Sequence, residues 1–501
     1  MNRNTLKHLL FGVSALAFAG PALAQNAAPE SAALLQRLER LEAANARLQA
    51  EVNSLRATDE AQQAAIAAAP PAPAPAPAAR HHESAASDHR NLVGISPEYS
   101  NAVLEHTEGV NQRLIAQLDA VQDGLLDNIV TVSGRVVAIA DAHWSNRANK
   151  FGYLMRHPTG NNQRTKATQE ATISSAQLAV TFRPHPDFTG FVELLYDPEQ
   201  SFGAGTLTAL ARNQVQVRKA YVLWGNLDKT PFYAAMGKMD VPFGLEDSVS
   251  PFTNSTNWHA FAPLAYGAQL GYYADGVSLR GMMIVGGSQF RGANTPVDGT
   301  AVPSKLNNFA VDASYTYELG EDSSVMVGGS YLHGSAYCQG YPVVHFNPCS
   351  VRVPAWAAYG RLRMGRFMAL GEFARTTEVW PGTQVPDPLN PLSRFAASKV
   401  TSFTFGGRYN APVTKNGLDL SVEYSKFIAG ADGSPWERQD QMVFGVANRL
   451  GSGVSLFGEY VRINGFAPLN FISGGNQPDG SSWSDASAKS NVVVLGVKAG
   501  F

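Results

Sequence analysis

The sequence is poor in cysteine and in charge. Its 501 residues include two Cys, and Asp, Glu, Lys and Arg together make up 16%, below the quarter that is usual in soluble domains. Two Cys are too few for a disulfide-stapled scaffold or a Cys-rich metal site. The 39 basic and 41 acidic residues give a net charge of −2, which excludes an overall basic field for nucleic acid. Beyond the N-terminus, no stretch approaches the roughly 18–20 apolar residues of a membrane-spanning helix.

Residues 1–24 predict a secretory signal peptide. Arg3 and Lys7 give a basic start, Leu9 to Ala19 is apolar, and Ala22-Leu23-Ala24 forms a small-x-small cleavage site. The alternative, a membrane anchor, needs a longer apolar run. We therefore expect a mature chain that begins at Gln25 in an oxidising compartment.

Residues 25–58 predict a parallel coiled coil. Apolar residues recur at alternating spacings of four and three, which places them at the a and d positions of a heptad. The seam comprises Leu34, Leu38, Leu41, Asn45, Leu48, Val52 and Leu55. Asn45 would fix the register, and the pairs Arg37–Glu42 and Glu51–Arg56 have opposite signs across a homo-oligomer. A lone amphipathic helix is the alternative.

Residues 59–90 form an Ala-, Pro- and His-rich linker. The alternating Pro and Ala after Pro70 predict an extended spacer. His81, His82 and His89 either bind metal adventitiously or belong to a solvated linker, and no metal site is predicted. In the next segment, 91–128, the apolar positions of 103–126 share one helical face. This helix is expected either to lie below the following domain or to plug it.

From residue 129 to 501 the apolar residues alternate with a period of two. Sixteen runs satisfy this pattern: 129–141, 171–183, 187–196, 213–223, 230–239, 267–274, 275–289, 307–318, 323–333, 354–364, 365–376, 399–410, 417–428, 438–449, 452–463 and 490–501. The number is even, and the lengths suit tilted strands that cross a bilayer. The links after even-numbered runs are short and those after odd-numbered runs mostly long, which is the layout of an outer-membrane barrel. The fold prediction is all-β: a 16-stranded antiparallel transmembrane β-barrel with an N-terminal helical coiled-coil extension.

The alternation also predicts which side chains face the interior. In 417–425, Leu420 and Val422 fall on one face and Ser421 and Glu423 on the other. An aqueous channel is the default interior of a barrel this wide. The predicted lining comprises Arg135, Arg218, Lys238, Arg280, Arg361, Arg363, Arg366, Arg408, Glu193, Asp312, Glu318, Glu372, Asp419, Glu423 and Glu459.

Two features of this lining leave alternatives open. Arg361, Arg363 and Arg366, with Arg408 on a neighbouring strand, either form a basic strip that favours anions or pair with Glu372. The third long loop, 240–266, either folds inward and sets the width of the channel or forms an external cap. Its candidate constriction residues are Asp240, Glu246, Asp247, Trp258 and His259.

The two cysteines lie in the fifth long loop with ten residues between them. Cys338 and Cys349 predict a disulfide in an oxidising medium, which closes a small loop and contributes about 2–3 kcal/mol. The last run alternates up to a C-terminal Phe501. Such an ending resembles the assembly signal of bacterial outer-membrane barrels, which implies the barrel assembly machinery as a partner.

One segment resembles known families. The stretch AYVLWGNLDKTPFYAAMGKMDVPFG, Ala220 to Gly244, looks like the strand–turn–strand segment of siderophore porins of the legiobactin-uptake type, which also have a signal peptide and a coiled-coil N-terminus. Its Gly237-Lys238 to Pro242-Phe243-Gly244 portion resembles phosphate-selective porins, which are sixteen-stranded trimers. The sequence departs from the latter in lacking a dense arginine ladder.

The functional prediction is a trimeric porin of the bacterial outer membrane with a periplasmic N-terminal segment. Small polar or anionic solutes, with a siderophore as one candidate, would diffuse passively through it. The alternatives are a phosphate- or anion-selective porin and a structural tether to the cell wall. We predict no enzyme and no cofactor, because the sequence lacks G-x-S-x-G, H-E-x-x-H, G-x-x-x-x-G-K-[ST] and G-x-G-x-x-G motifs. A TonB-coupled transporter would need about 22 strands.

Overall fold

The structure is a computed structural model. It describes residues 91–155, 165–197, 214–286, 289–290, 306–341, 351–451, 453–468 and 482–501. The chain divides into two units, 1–87 and 88–501. The predicted signal peptide, coiled coil and linker all lie outside the described residues, as does Cys349.

Sixteen long strands within the described residues form one antiparallel sheet. They are β1 Val130–Ser145, β2 Ala167–His185, β3 Phe188–Asp197, β4 Gln214–Trp224, β5 Phe232–Asp240, β6 Pro263–Ala274, β7 Val277–Val285, β8 Leu306–Gly320, β9 Ser323–Leu332, β10 Ala355–Met364, β11 Phe367–Thr376, β12 Thr401–Ala411, β13 Leu418–Ile428, β14 Arg438–Arg449, β15 Val454–Phe466 and β16 Asp485–Gly500. Each strand pairs with its sequence neighbours, and β16 pairs with β1 from Ser490↔Ser145 to Gly500↔Arg135. The sheet is therefore a closed barrel, and the predicted fold class and strand number are confirmed.

The alternation of residue types decides which face of each strand turns inward. In β13, Leu420 and Val422 are each 45% exposed, whereas Ser421 and Glu423 are buried. The apolar side chains thus lie on the outer surface and the polar ones inside, the reverse of a soluble protein.

Turns and loops separate to opposite ends of the barrel. Two-residue turns join β6 to β7, β8 to β9 and β10 to β11. In the first, Asp275 and Gly276 both have positive φ, 52° and 77°, as a type I′ hairpin turn requires. The connections after odd-numbered strands are longer, as the sequence predicts.

The third long connection contains a short helix. Residues 241–262, hereafter the inward loop, join β5 to β6 and include α3, Thr256–Phe261. Its predicted bounds were 240–266, but β6 begins earlier, at Pro263, whose carbonyl accepts a hydrogen bond from Val241 N–H at 3.0 Å. Two 3₁₀ turns, Pro381–Thr383 and Pro391–Arg394, lie in the sixth long connection.

The segment before the barrel contains two helices. The first, α1, is Pro97–Leu104, and the second, α2, is Arg113–Gln122. Val93 and Gly94 pair in parallel with Val130 and Thr131. The pairing of β16 with β1 reaches only as far as Arg135. Val93 and Gly94 therefore occupy the edge of β1 that β16 leaves free, beside the C-terminus. Within the described residues, no helix is long and apolar enough to span a membrane.

Candidate functional site: the barrel interior

Most of the predicted lining residues lie on the inner face. Arg135, Arg280, Glu193, Asp312, Glu372, Glu423 and Glu459 are buried there, and Arg218, Arg361 and Arg408 are partly buried. Several form ion pairs between neighbouring strands. Arg280 donates to Asp312 at 2.6 Å, and Arg218 donates to Glu193 at 3.1 Å. The interior is therefore charged, with both signs present.

Two predicted lining residues lie elsewhere. Lys238 pairs with Ala220 and Tyr266 across the sheet, and its ammonium lies 5.8 Å from the centre of the Tyr266 ring. Tyr266 is 47% exposed on the outer face, so the strand register places Lys238 in the outward row, although its side chain is only 7% exposed and donates to the Val217 carbonyl at 3.3 Å. Arg366 lies in the turn between β10 and β11 and is exposed. The prediction extended strand alternation into a turn, where it does not apply.

The inward loop is tied to three glutamates on alternate strands. Glu372 on β11 accepts hydrogen bonds from the N–H groups of Leu245 and Glu246, each at 2.9 Å. Both oxygens of one carboxylate thus bind consecutive backbone amides, which are charge-assisted contacts.

The pattern repeats along the loop. Glu423 on β13 accepts from Ser248 Oγ and Val249 N–H, each at 2.8 Å. Glu459 on β15 accepts from Phe252 N–H at 2.7 Å and Thr253 N–H at 3.0 Å. The loop therefore runs across the inner wall from β11 to β15. Of the two predicted alternatives, an inward fold and an external cap, it adopts the inward fold.

An unusual backbone path allows the first of these contacts. Gly244 and Glu246 have φ angles of 73° and 63°, which aim successive N–H groups at one acceptor. A Cβ on Gly244 would lie 2.1 Å from Glu372 Oε1. Only glycine fits this close approach without strain.

The other candidate constriction residues are also inside. Asp247 accepts from Arg361 at 3.1 Å, and Asp240 accepts from Lys219 at 2.5 Å. Trp258 and His259 lie in α3 and are buried. Ser255 caps this helix by accepting from Trp258 N–H at 3.1 Å.

The segment before the barrel also lies inside it. Residues 91–128, hereafter the N-terminal plug, contact strands on all sides: Tyr99 Oη lies 2.7 Å from Thr181 Oγ1 on β2, and Ser100 Oγ donates to Ser133 Oγ on β1 at 2.7 Å. On the opposite side, Arg280 of β7 donates to the Asn111 carbonyl. Of the two predicted alternatives, the segment plugs the barrel.

The plug is bound to the inward loop as well. Val110 N–H donates to Asp247 Oδ1 at 3.0 Å, and Asn111 Nδ2 donates to the Gly244 carbonyl at 2.8 Å. His106 lies 2.8 Å from the Phe252 carbonyl through Nε2. The two inserted segments therefore form one assembly within the lumen.

Two plug glutamates attach to basic side chains of the wall. Glu105 contacts Arg135 of β1 at 3.1 Å and Lys498 of β16 at 2.7 Å. Burial raises the pKa of Glu105, but the charges of Lys498 and Arg135 outweigh burial and hold that pKa well below its usual value.

The second glutamate, Glu108, accepts from Arg363 at 2.5 Å and from Arg408 at 2.9 Å. Burial opposes ionisation here too, and the two arginines lower the pKa of Glu108 overall. Arg363 and Arg408 are thus ion-paired, but with Glu108 and not with Glu372. Arg361 pairs with Asp247, so the ion-pairing alternative holds with partners other than the predicted one.

Two acids of the inward loop have raised pKa values instead. Burial, then the negative charge of Glu372, raises the pKa of Glu246 well above its usual value. Burial also raises the pKa of Asp247, and Arg361 only partly offsets this. The plug therefore presents ionised carboxylates, whereas Glu246 favours its neutral form.

A cavity of about 1140 Å³ lies at the end of the barrel where the short turns are. It is bordered by Glu105, Glu108, Arg135, Arg363 and Lys498, and by turn residues such as Gly276 and Gly453. Plug and wall charges therefore meet at a space large enough for a small molecule.

Cys338 is disulfide-bonded. The chain has two cysteines, and Cys349 lies outside the described residues. The predicted Cys338–Cys349 pairing therefore stays a prediction.

Sequence reasoning missed Glu105, Glu108 and Lys498. Lys498 was within reach, because the last run alternates up to Phe501 and Lys498 falls on the face opposite to its apolar residues. The two glutamates gave no periodic signal, since they lie between the helices of the plug.

The fold and the interior define this protein as a closed β-barrel with a charged lumen occupied by two of its own segments. No protein-family model matches the sequence. A UPF0422 protein of Coxiella burnetii is 23% identical over 207 residues, 40% of this chain. The match spans 41% of that relative's length.

Solved structures with a similar fold come from several bacteria. An anion-selective porin from Comamonas acidovorans is 10% identical and covers 74% of this chain and 99% of its own, with a TM-score of 0.46. The outer membrane channel DcaP of Acinetobacter baumannii is 15% identical over 74% of this chain and 97% of its own, with a TM-score of 0.44. OprB of Pseudomonas putida is 9% identical over 76% and 97%, with a TM-score of 0.46.

Proposed function

We propose that this chain is an outer-membrane porin through which small polar or anionic solutes diffuse passively. The observation that carries the proposal is the inversion of the barrel: apolar side chains outside and charged ones inside a closed sheet. Such an exterior suits acyl chains, and closure satisfies every strand edge, as a spanning sheet requires.

The basic side chains of the interior support an anionic cargo. Arg135, Arg361, Arg363 and Arg408 all reach the lumen. Rings of basic side chains are a common device for passing anions. Phosphate is the second candidate cargo, and an iron chelator is a third, supported by the resemblance of residues 220–244 to siderophore porins.

Partners and orientation belong to the same proposal. The N-terminal segment would be periplasmic, the barrel would contact outer-membrane lipid, and the strand ending at Phe501 would engage the assembly machinery. In the fold, the Phe501 carbonyl accepts from Gly134 N–H at 3.0 Å, so this C-terminal residue continues the closing pair of strands. A trimer and a link to the cell wall rest on residues 25–58 and 59–90.

Conductance in a planar lipid bilayer tests the proposal. The purified full chain should give discrete channels, and the reversal potential in a KCl gradient should show a preference for chloride. The matched variant is Arg361→Gln with Arg363→Gln, which should reduce that preference. Equal passage of both ions would refute anion selection, and folded protein that never conducts would refute the porin.

The cargo candidates need separate measurements. If the lumen passes phosphate, the reversal potential in a sodium phosphate gradient should show a preference for phosphate over sodium, and a sodium sulfate gradient of equal ionic strength is the control. For the chelator, a deletion strain that grows on it as well as the parent would remove that candidate.

A further inference from the structure

The basic side chains of the inner wall fall into two groups according to the origin of their partners. Arg280, Arg361, Arg218 and Lys219 pair with acids of the barrel and its inward loop: Asp312, Asp247, Glu193 and Asp240. Arg135, Lys498, Arg363 and Arg408 instead make their ion pairs, within the described residues, with Glu105 and Glu108 of the plug. The plug therefore supplies the direct ion-pair partners of the second group, while Asp419 and Glu459 of the wall act on Arg408 and Lys498 only at longer range.

Each plug glutamate lies between two bases that the sheet holds close together. Arg135 is opposite Gly500, two residues from Lys498. Arg363 and Arg408 both pair with Met368, one from each side. Because the strands fix these distances, each pair of bases is a preformed position for one anionic group.

These positions need an anion. A buried or half-buried base that loses its ion-pair partner is destabilised, since neither water nor a more distant charge replaces the lost contact fully. If the plug withdrew, four wall cations would face the lumen without matched acids. An anionic solute would then be favoured in the same two places.

The surroundings allow such an exchange. The cavity of about 1140 Å³ borders both glutamates and three of the four bases, so a solute from the turn end can reach them. Several of the plug's other bonds to the wall, such as Ser100 to Ser133 and Tyr99 to Thr181, are neutral hydrogen bonds, which are weaker than charge-assisted ones. Arg280 and Arg183 also donate to plug carbonyls, those of Asn111 and Leu126, but these acceptors carry no charge of their own.

We propose that Glu105 and Glu108 occupy two anion-binding positions of the lumen, so that the plug closes the channel in competition with solutes carrying carboxylate or phosphate groups. This inference rests on the proposed porin function. Its ligand class is a small solute with two anionic groups, one for Arg135 and Lys498 and the other for Arg363 and Arg408.

Thiol labelling tests the exchange on the full-length chain. Ser100 is 3% exposed in α1, so a Ser100→Cys side chain should react slowly with a maleimide while the plug is seated. Sodium succinate or sodium phosphate should accelerate labelling several-fold more than sodium chloride of equal ionic strength. An Asn416→Cys variant, in an exposed turn, reports the intrinsic reactivity in each salt, and the unsubstituted chain gives the background.

A comparison of succinate with phosphate shows which anionic group the two positions bind. Acceleration by succinate alone assigns the positions to carboxylates, and acceleration by phosphate alone assigns them to phosphate. Acceleration no greater than that caused by chloride means that salt merely screens the ion pairs, and it overturns the proposal. So does an unchanged rate in every salt.

A second variant asks whether the glutamates are the competitors. Glu105→Gln with Glu108→Gln in the Ser100→Cys chain should raise the labelling rate without added anion by about tenfold or more, because charge-assisted bonds are lost at both positions. It should also abolish the response to succinate and phosphate. An unchanged rate in a folded barrel would contradict the proposal.

A disulfide lock separates this inference from the porin proposal. Ser100→Cys with Ser133→Cys, whose parent oxygens are 2.7 Å apart, should conduct poorly when oxidised and recover on reduction. If conductance fails in both states but labelling still responds to anions, the porin is wrong and the site stands. If locking leaves conductance unchanged, the plug does not close the channel.

Discussion

At the scale of single residues, buried charges determine what the interior tolerates. Arg280 and Asp312 are both nearly fully buried, and Asp312 also accepts from Ser330 and Tyr359, each at 2.7 Å. Removing one charge of such a network strongly lowers the free energy of unfolding, because the remaining charge stays buried without its partner.

Asp312→Asn should therefore lower the free energy of unfolding by about 3 kcal/mol or more. The matched control is Asp419→Asn, whose side chain is only partly buried and accepts from Asn410 at 2.8 Å, and whose effect should be much smaller. Urea unfolding of the reconstituted barrel measures both. Equal effects would show that the ion pair between Asp312 and Arg280 contributes no more to stability than the contacts of Asp419.

Gly244 tests the backbone path of the inward loop. Gly244→Ala places a Cβ against Glu372 and forces alanine into positive φ, so we expect a loss of more than about 1 kcal/mol in the free energy of unfolding. Gly371→Ala is the control, since its added Cβ meets the Thr404 carbonyl at an ordinary 3.8 Å. If the control is as destabilising as Gly244→Ala, the close approach to Glu372 is not the cause.

At the scale of elements, ion pairs attach the plug to the barrel wall, and the direction of the pKa shifts of its two glutamates predicts a pH dependence. Glu105 and Glu108 have lowered pKa values in the folded state. Their stabilisation is therefore complete above the ordinary glutamate pKa and is lost as the pH falls through the folded values. Burial raises the pKa of Asp247, so its protonation on acidification acts in the opposite direction.

Hydrogen exchange of the amides of α1 and α2 measures this dependence. After correction for intrinsic rates, protection should be constant from pH 8 to about pH 5 and should fall below about pH 4. The barrel strands serve as the internal control and should keep their protection. Protection of the helices that does not change down to pH 3 would contradict the electrostatic attachment.

Elements with a periodic signal were predictable, and inserted segments were not. Each of the sixteen strands follows from alternation, because one face must be apolar and the other polar over its whole length. Strand ends moved by a few residues, as at Pro263, where backbone pairing extends a strand past the alternating pattern. The positions of Glu105 and Glu108 depend on contacts between parts of the chain hundreds of residues apart, which no local pattern encodes.

The acids of the wall show the same division. The inward facing of Glu372 and Glu423 followed from strand alternation, but their role did not. Their partners are backbone amides of the inward loop, and every residue except proline offers such an amide. Side-chain identity predicts ion pairs between side chains, so it pointed to Arg361 and Arg363 instead.

At the scale of the whole molecule, the barrel closes on itself and fills its own lumen. Sixteen strands leave an interior too wide for wall side chains to fill, and here the plug and the inward loop occupy it. The proposed transport therefore requires movement of these segments, and it depends on the charge of the wall as well.

The oligomeric state is the remaining prediction at this scale. The heptads from Leu34 to Leu55 place apolar residues at a and d, with Asn45 to fix the register. Because a coiled coil raises the effective concentration of the attached barrels, deleting residues 34–55 should shift a trimer toward monomers on dilution in detergent. Light scattering measures the mass, and a variant with Asn45→Leu should remain associated but lose its preference for one oligomeric state. A deletion variant that keeps the assembly state of the parent at every concentration would show that contacts between barrel walls hold the oligomer together.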